Sequence, residues 1–486
     1  MNFKYRKVGV TLTLPLIATT VASASSEANP NKADKTDEKK PLNVLVIAID
    51  DMNMWPGAFD GVAKTPNIDA LANQSVKFTN SHCVVPMSNP SRAALFTGLR
   101  PETTGQYTNP GCYREKGNNM SLITLPQYLQ KYGYETVSAG KIFHQPRGTG
   151  EIPNIYSDPM SWDIQRKGHV GIGGEEHAKY LDENNQAKWQ EGSDGIDGYL
   201  SKFAVWGPTD KNPEATEEWK NARFIADYLQ EDHDKPFFLS MGVFSPHAPL
   251  IAPRKYFDMY PLEDIVLPEV PENDFDDIPA IARSNFSTST ANLIKEKGEW
   301  KNAVQGYLAC MSFADATMGI VMDALNNSKY KDNTIVLLFC DNGFQLRHKD
   351  RWEKYSLWRM ATNTPLIIHV PDGLKGECKR AVSFLDIYPT ILDLLEIEAP
   401  DFLEGISMKK QLNDLDAPRK IPAVVTFEKG NTSVVYETWN LITYKNGEQE
   451  LYNRANDLYE YNNLIDDPKY AKIVKRLSKY IPKAQN

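Results

Sequence analysis

Short apolar runs alternate along most of the chain with segments whose apolar residues recur at helical spacing. The runs are typical of strands buried on both faces of a sheet: Asn43–Asp50, Thr136–Lys141, Phe237–Val243, Thr334–Asp341 and Pro365–Val370. The helical segments between them are Ile68–Asn73, Ser91–Thr97, Thr124–Tyr132, Glu214–Gln230 and Glu299–Leu325. This alternation predicts an α/β fold with a large, mixed but mostly parallel sheet between helices.

The pattern changes after Pro400, where apolar and polar positions alternate in short segments. These segments predict antiparallel strands at Ala423–Phe427, Ser433–Thr438 and Asn440–Lys445. The turn Asn446-Gly447 is a strong hairpin signal, and Asp467–Tyr480 predicts a terminal helix. We therefore expect a large domain over residues 41–400, whose last helix lies at 384–395, and a small C-terminal antiparallel α+β subdomain over residues 401–486.

The first residues have the layout of an export signal. Lys4, Arg6 and Lys7 precede an apolar run over residues 8–21, and the small residues 22–24 follow it. The run is too short for a stable membrane anchor, although a buried N-terminal helix is an alternative interpretation. We expect a signal peptide over residues 1–24, a solvated linker over 25–40, and a periplasmic or secreted protein without membrane attachment after cleavage.

Composition narrows the class of protein. The 486 residues are 41% hydrophobic and 24% charged, as in ordinary globular proteins, which excludes a collagen, a coiled coil or a mostly disordered chain. With 54 Lys and Arg against 63 Asp and Glu, the net charge is −9, so the basic footprint of a nucleic-acid-binding protein is missing. Five scattered cysteines predict mostly buried thiols, with at most one or two disulfides: Cys83, Cys112, Cys310, Cys340 and Cys378.

A polar helix start is the first candidate site. Asn89 is the expected cap, Pro90 the expected first helical residue, and Gly98 lies near the helix end. Ser88 would then precede a helix N-terminus, where backbone N–H groups favour an anion. Arg92 in the first turn can present a guanidinium to an oxyanion. The alternative is an ordinary helix start with a surface arginine.

Other polar side chains follow the ends of predicted strands. Asp50, Asp51, Asp341 and Asn342 offer the oxygen ligands that Ca²⁺ or Mg²⁺ prefers, although each pair alone could be a cap or a turn. Three more clusters carry a lysine or a histidine: Lys141 with His144, His247, and Lys354. Because ligands bind at the carboxyl ends of strands in α/β sheets, these clusters predict one site at that edge.

These segments together resemble a known family. Ser88–Arg92 with Thr97-Gly98 resembles the signature of type I, formylglycine-dependent sulfatases in its serine form. Further elements of that family are matched by Asn43–Asp51, Thr65–Asp69, Gly140–His144, Cys340–Gly343 and 450–464. The resemblance implies an alkaline-phosphatase-like fold, and it is strongest to the iduronate-2-sulfatase-like branch. Departures are Ser88 in place of cysteine, Asn342 where that branch often has histidine, and Asn453 in place of aspartate.

The resemblance also implies roles for these residues. Ser88 would be oxidised to formylglycine by a serine-type maturating enzyme, and the hydrated aldehyde would supply the attacking hydroxyl. Asp50, Asp51, Asp341, Asn342 and the modified Ser88 would hold Ca²⁺, with Mg²⁺ possible. The remaining candidate catalytic residues are Arg92, Lys141 and Lys354, which would fix the sulfate, and His144 and His247, which would transfer protons.

The substrate expected from this resemblance is a sulfated polysaccharide or oligosaccharide, such as algal carrageenan or ulvan, or a glycosaminoglycan. The basic, aromatic segment Gln345–Arg359 offers candidate sugar contacts at Arg347, His348, Arg351 and Trp352. A solvated loop with buried tryptophans is the alternative there, and Arg147, Arg166 and His169 are weaker candidates. The competing functions are a phosphate or phosphonate monoester hydrolase of the same superfamily and a carbohydrate-binding pseudoenzyme.

Overall fold

The computed structural model describes residues 41–144, 157–166, 205–284 and 289–482. In chain order its strands are β1 (Asn43–Ile49), β2 (Val76–Phe78), β3 (Ser81–His82), β4 (Glu135–Gly140), β5 (Ile164–Gln165), β6 (Trp206–Thr209), β7 (Phe237–Val243), β8 (Leu250–Pro253), β9 (Thr334–Cys340), β10 (Gln345–Leu346), β11 (Trp352–Glu353), β12 (Leu366–His369), β13 (Gly376–Cys378), β14 (Val382–Ser383), β15 (Ala423–Thr426), β16 (Thr432–Tyr436), β17 (Trp439–Thr443) and β18 (Gln449–Asn453).

The α-helices of the described residues pack around these strands. In chain order they are α1 (Pro66–Asn73), α2 (Ser88–Thr97), α3 (Pro101–Thr104), α4 (Leu125–Gln130), α5 (Glu217–Tyr228), α6 (Arg254–Phe257), α7 (Ala280–Ser284), α8 (Ser289–Lys297), α9 (Trp300–Asn326), α10 (Arg359–Thr362), α11 (Ile387–Leu394), α12 (Lys409–Asn413) and α13 (Ala471–Leu477). The proposed signal peptide and linker lie outside the described residues.

Eight of the described strands form the main sheet, in the order β13-β2-β12-β9-β1-β7-β4-β5. Strand β12 is antiparallel to both β2 and β9, and the other pairs are parallel. The central strands β1, β7 and β9 are buried along their whole length. The predicted mixed, mostly parallel sheet is therefore confirmed, and its continuous apolar runs occupy the middle, where both faces are covered.

Strand β1 shows how the sheet divides two cores. Leu45, Ile47 and Ile49 belong to one hydrophobic cluster, whereas Val44 and Val46 belong to the cluster on the opposite face. Side chains alternate between the faces of a strand, so a strand that is apolar at every position can bury both. Helices α5 and α9 belong to the first core, and helices α2 and α11 to the second.

Helix α9 is the longest described helix, at 27 residues. By length and composition it could cross a membrane, but 78% of its most apolar window is buried inside the protein. It packs against α1, α5 and β8. Its apolar character is therefore explained by its position as a core helix.

The C-terminal part contains the predicted antiparallel sheet, with strands in the order β15-β16-β17-β18. Val425, Ile442 and Tyr452 on one face join the second core of the main sheet. Val424 and Leu441 on the other face pack in a small cluster with α13. The described residues from Pro41 onward form one compact unit, and the boundary at residue 400 stays a prediction.

Candidate active site

The carboxylates of the site come from two neighbouring strands. Strands β1 and β9 run parallel with Ile49 opposite Cys340, so the residues that follow them leave the sheet side by side. One oxygen from each of Asp50, Asp51 and Asp341 lies within 4.8 Å of the other two, and all three residues are buried. The structure thus brings together the acidic residues that the sequence predicted at this edge.

The turn after β1 is held by contacts from both neighbouring elements. Asp51 adopts a left-handed backbone with φ of 59°, a conformation that aspartate tolerates better than most residues. Its N–H donates to Asp341 Oδ1 at 3.1 Å, and its carbonyl accepts from Tyr307 Oη at 2.7 Å. The Asn342 amide donates to Asp51 Oδ1 at 2.8 Å. The turn is therefore fixed by the two residues that follow β9 and by a residue of α9, all far away in sequence.

Ser88 lies at the centre of this arrangement. Its Oγ is 3.1 Å from Asp50 Oδ1 and 3.4 Å from Asn342 Oδ1, and it accepts a hydrogen bond of 3.1 Å from Lys354 Nζ. The prediction for the helix start was two residues late, because α2 begins at Ser88 itself, after Met87. Pro90 is accommodated as the third helical residue, since the first-turn N–H groups have no partner within the helix.

The neighbours of Ser88 in the motif have structural contacts. The Asn89 side chain donates to the carbonyls of Asn109 and Gly111 at 2.7 and 2.8 Å. The Ser91 hydroxyl donates to the Asp341 carbonyl at 2.6 Å. Gly98 ends the helix with φ of 70°, which a side chain would strain. The motif thus positions the first turn of α2 against the end of β9.

Arg92 is completely buried, so the alternative of a surface arginine is wrong. Its Nε donates to Asp341 Oδ2 at 2.7 Å, and its Nη2 donates to Asp50 Oδ1 at 3.3 Å. Its Nη1 donates to the carbonyls of Lys141 and Ile142 at 2.7 and 2.9 Å. The guanidinium therefore ties both acidic strand ends to the loop that carries Lys141; a direct contact with sulfate stays a prediction.

Two lysines complete the charge balance. Lys141 Nζ contacts Asp50 Oδ2, and Lys354 Nζ contacts Asp51 Oδ1. Burial opposes ionisation of Asp50 and Asp51, but Lys141 near the first and Lys354 near the second more than compensate, so both pKa values are lowered. Burial lowers the pKa of Lys141, whereas Asp51 raises that of Lys354 despite burial. Three carboxylates thus meet two lysines and Arg92 here, and their charges cancel. A divalent cation that binds together with a doubly charged anion would leave the net charge of the site unchanged.

The donor set fits a hard divalent cation. Asp50, Asp51 and Asp341 supply carboxylate oxygens, and Asn342 turns its amide oxygen toward Ser88 while its nitrogen bonds Asp51. Oxygen-only ligation of this kind suits Ca²⁺ or Mg²⁺ and not a soft transition metal. These residues therefore form a candidate metal site.

Two histidines lie at the site on different loops. His247 Nε2 is 3.8 Å from Asp51 Oδ2, and its Nδ1 is 2.6 Å from the Ala248 carbonyl. Since a carbonyl only accepts, Nδ1 carries the proton and Nε2 is the basic nitrogen of the neutral ring. Burial lowers the pKa of His247 to about 4. Burial and Lys141 also place the pKa of His144 well below its usual range.

Sequence reasoning missed Glu218 on α5, which holds the His247 loop. Its Oε1 accepts from the Ser245 N–H at 2.7 Å and from the Ser245 hydroxyl at 3.0 Å. Burial raises its pKa to about 7. In the sequence it is one acidic residue among several in an amphipathic helix, and nothing in its spacing signals this contact.

The predicted sugar contacts divide into two groups. Trp352 packs with Trp206, Trp300 and Phe344 in the first core, and Arg351 lies among the rings of the second core. Both side chains are at most 2% exposed. Their positions are interior, as in the alternative of a loop with buried tryptophans, and a contact of these two residues with a sugar stays a prediction.

The other candidates differ in burial. Arg347 is half-buried and donates to the Pro268 carbonyl at 2.9 Å. His348 is buried, and its ring packs at a tilt against Tyr459. Arg166 pairs with Glu217 at 3.1 Å. The other weak candidates, Arg147 and His169, lie outside the described residues.

The chain is similar in sequence to known sulfatases. A family model described as Sulfatase matches residues 42–397, and one described as N-sulphoglucosamine sulphohydrolase, C-terminal, matches residues 348–486. A protein named Sulfatase from Formosa agariphila is 34% identical over 477 residues, covering 92% of this chain and 89% of its own. Iduronate 2-sulfatase of Homo sapiens is 30% identical over 394 residues, covering 76% of this chain and 67% of its own.

Solved structures confirm the predicted fold class. A phosphonate monoester hydrolase from Silicibacter pomeroyi superposes with a TM-score of 0.72 over 90% of this chain and 94% of its own, at 18% sequence identity. At that identity the likeness concerns the fold alone.

Proposed function

Because the chain belongs to the sulfatase family, and is thus a sulfuric ester hydrolase, we propose that it removes sulfate from a sulfated polysaccharide or oligosaccharide through a formylglycine made from Ser88. The observation that carries this proposal is the position of Ser88. Its Oγ is completely buried among Asp50, Asn342 and Lys354. A hydroxyl in that position has no evident structural task, but it is well placed to be a nucleophile.

Conversion of Ser88 to formylglycine provides a route by which the sulfated intermediate can break down. A sulfated serine has no internal route of breakdown, whereas a hydrated formylglycine supplies one hydroxyl to attack sulfur and a second whose deprotonation expels sulfate. Lys354 Nζ, which already donates to Ser88 Oγ, would orient the attacking oxygen. A serine-type maturating enzyme is the partner that this route requires before export.

The proton transfers are assigned to the two histidines. His247 lies beside Asp51, whose negative charge favours the protonated imidazole. We assign to this protonated form the delivery of a proton to the leaving alcohol. The charges of Lys141, Lys354 and His247 contribute to the lowered pKa of His144, which places its ring near theirs. We propose that His144 accepts the proton of the second hydroxyl. Lys141 is placed to neutralise charge on the sulfate oxygens. Each group thus acts at a different oxygen of the reacting centre.

Ca²⁺ is the proposed ion, held by Asp50, Asp51, Asp341, Asn342 and the modified Ser88. When bound, it would lower the pKa of the attacking hydroxyl and offset charge that develops on sulfate. Arg92 supports this role by holding Asp50 and Asp341 in register. The oxygen-only donors support Ca²⁺, with Mg²⁺ as the alternative.

The substrate class rests on the relatives and on the chain's first residues. Iduronate 2-sulfatase, by its name, acts on a sulfated sugar acid. The apparent signal peptide suggests a periplasmic or secreted enzyme, which meets glycans outside the cell. Carrageenan, ulvan and glycosaminoglycans are therefore the substrates to try first.

The test is a release assay with the protein co-expressed with a serine-type maturating enzyme. The substrates are carrageenan, ulvan and heparan oligosaccharides, an aryl sulfate and an aryl phosphate, with Ser88→Ala as the control. Sulfate release from a glycan that disappears in Ser88→Ala supports the proposal. Phosphate release without sulfate release would instead identify a phosphate or phosphonate monoester hydrolase and overturn it.

A further inference from the structure

A second cavity lies beside the loops that form the metal site. It has a volume of about 740 Å³ and is lined by segments that follow β1 and β11, together with residues 266–269 and 458–461. Among the described residues, its lining includes neither Ser88 nor the carboxylates of the metal site. Its size is that of a small-molecule site.

Aromatic rings form much of its wall. Trp55, Tyr459 and Tyr461 line it together with His348. The His348 and Tyr459 ring centres are 4.7 Å apart, and those of Tyr459 and Tyr461 are 5.9 Å apart. Tyr459 is 38% exposed, so its ring is accessible from solvent. Flat rings with polar edges suit a pyranose, which has apolar faces and a rim of hydroxyl groups.

The polar wall of the cavity carries positive charge and a buried nitrogen that lacks a hydrogen-bond partner among the described residues. The His348 side chain is 2% exposed, yet its Nδ1 has no hydrogen-bond partner within the part of the chain that the structure describes. Arg347 and Arg359 lie near that ring, and with burial they keep His348 neutral by lowering its pKa. A neutral imidazole with an unused nitrogen can donate to or accept from a ligand.

Arg359 is the half-buried cation of this wall. Its backbone N–H donates to Glu460 Oε2, but its guanidinium takes part in none of the ion pairs found among the described residues. Burial and the neighbouring Arg454 lower its pKa to about 10. The Glu460 carboxylate is close enough to oppose this lowering, but it forms its ion pair with Arg454. The Arg359 guanidinium, withdrawn from water, therefore favours an anionic ligand.

The acidic residues of the cavity do not cancel this charge. Asp60 and Glu269 are exposed and stand at the rim. Glu377 also lines the cavity, but it pairs with Lys77 and Lys379 at 4.0 and 3.7 Å. The rim carboxylates can accept hydrogen bonds from sugar hydroxyls, whereas the inner wall presents the guanidinium.

The cavity adjoins the metal site through shared loops. Trp55 follows Asp51 by four residues, and Arg359 follows Lys354 by five. Tyr307, whose hydroxyl bonds the Asp51 carbonyl, has its ring 6.3 Å from that of Trp55. Four residues span at most about 14 Å, so the cavity wall at Trp55 lies within that distance of the metal-site residue Asp51.

We propose that this cavity binds an anionic sugar unit, carrying a carboxylate or a sulfate ester, of the same glycan that is desulfated at Ser88. The proposal rests on the proposed function for the identity of the glycan. The guanidinium of Arg359 pairs with the anionic substituent, and the rings of Trp55 and Tyr459 cover the faces of the sugar.

Calorimetric titration of the Ser88→Ala protein tests this without turnover. The probes are tetrasaccharides of equal length: an unsulfated one containing glucuronate, a sulfated carrageenan fragment without uronate, and a neutral galactan fragment. In the Ser88→Ala background, Arg359→Gln should weaken at least one anionic probe by about 10-fold or more and leave the neutral probe unchanged. The probe that loses affinity identifies the carboxylate or the sulfate ester as the partner.

Arg223→Gln in the same background is the matched control, because Arg223 is exposed on α5 and pairs with Asp227. It should leave all affinities unchanged. Equal affinities of the Arg359→Gln and Arg223→Gln proteins for both anionic probes would overturn the proposal. If Arg359→Gln does not fold, as judged by its melting curve, Tyr459→Ala replaces it. Because the Tyr459 ring covers a face of the sugar, this variant should weaken the neutral probe as well as the anionic ones, and unchanged affinities would overturn the proposal.

The rim of the cavity is also apolar, with Val62, Val266 and Leu458 exposed, so a second copy of the chain is the competing occupant. A dimer that Tyr459→Ala dissociates, with no effect on the probes, would contradict the sugar site. The calorimetric titration does not depend on sulfate release. Binding that depends on Arg359 without any sulfatase activity would overturn only the proposed function. Sulfatase activity without binding that depends on Arg359 would overturn only the sugar site.

Discussion

Arg92 holds two carboxylates and one loop with a single planar group. Its Nε and Nη2 bond Asp341 and Asp50, and its Nη1 bonds the carbonyls of Lys141 and Ile142. A lysine keeps the charge but cannot reach this many acceptors from one position. Because the side chain is buried, each acceptor that it abandons remains without a partner.

We therefore expect Arg92→Lys to lower the free energy of unfolding by about 3 kcal/mol, the order found when a buried pair is broken. Chemical denaturation followed by circular dichroism measures it. Arg223→Lys, at an exposed position of α5, is the control and should change stability by less than about 0.5 kcal/mol. Equal stabilities of the two variants would contradict the bridging role of Arg92.

The role assigned to His247 gives a second prediction at the residue scale. A proton donor matters most when the leaving alcohol is a poor leaving group, as a sugar hydroxyl is. His247→Ala should lower kcat on a sulfated sugar by about 10²-fold or more and lower kcat on 4-nitrophenyl sulfate much less. Steady-state kinetics on both substrates measure the split, and equal losses on both would rule out this role.

At the scale of elements, helix α5 and the loop after β7 form a functional pair. Glu218 on the helix accepts two hydrogen bonds from Ser245, two residues before His247. The loop also faces Lys141, whose ammonium lies 5.3 Å from the centre of the Phe244 ring. The position of His247 therefore depends on a helix on one side and on the lysine loop on the other.

This pair predicts a pH dependence of stability. Burial raises the pKa of Glu218 from 4.5 to about 7, and the negative charge of Asp50 adds to the effect. The folded state therefore binds more protons than the unfolded state between these values, and the contribution of Glu218 to stability falls as the pH rises from about 4.5 to about 7. Glu218→Gln should remove that loss, about 3 kcal/mol in total, by the relation between pKa shift and free energy.

Denaturation of the native protein and of Glu218→Gln at pH 5 and pH 8 measures how much the free energy of unfolding of each changes between the two pH values. Glu214→Gln is the matched control, because Glu214 is exposed just before the same helix. The idea fails if Glu218→Gln and the native protein lose stability in parallel between these two pH values.

The helices and strands also show what the sequence could predict. The strands β1, β7 and β9 were found within one residue, because buried central strands are continuous apolar runs. The short strands β2, β5 and β13 were not predicted, since two or three residues are too few to show a periodic pattern. The start of α2 was placed late because a proline is usually the first helical residue, and here a buried contact of Ser88 determines the start.

At the scale of the whole molecule, the site joins elements from most of the chain. Strands β1 and β9 supply the carboxylates, α2 supplies Ser88, and the loops after β4, β7 and β11 supply the lysines and histidines. The motif residues could be predicted because they follow strand ends. The supports at Glu218 and Tyr307 could not, because their contacts join distant parts of the chain. The interior position of Trp352 agrees with the alternative of buried tryptophans, whereas that of Arg351 could not be predicted, because an arginine in a basic segment is usually exposed.

Metal binding should stabilise the entire fold, because the ligands come from two central strands. Calcium at about 100 times its dissociation constant adds about 2.7 kcal/mol to the folded state. We expect the melting temperature to fall after chelation and to recover with Ca²⁺. Asp341→Asn should lose this response, whereas a native protein whose melting temperature ignores both treatments would contradict a metal site here.

The central claim is that Ser88, once converted to formylglycine, is the group that removes sulfate. The most direct measurement is the mass of the peptide containing Ser88, taken alongside sulfate release from the same preparations, made with different amounts of the maturating enzyme. Conversion removes two hydrogen atoms from the peptide. Sulfate release should rise in proportion to the converted fraction and vanish with it. Full sulfatase activity in a preparation with unconverted Ser88 would contradict it.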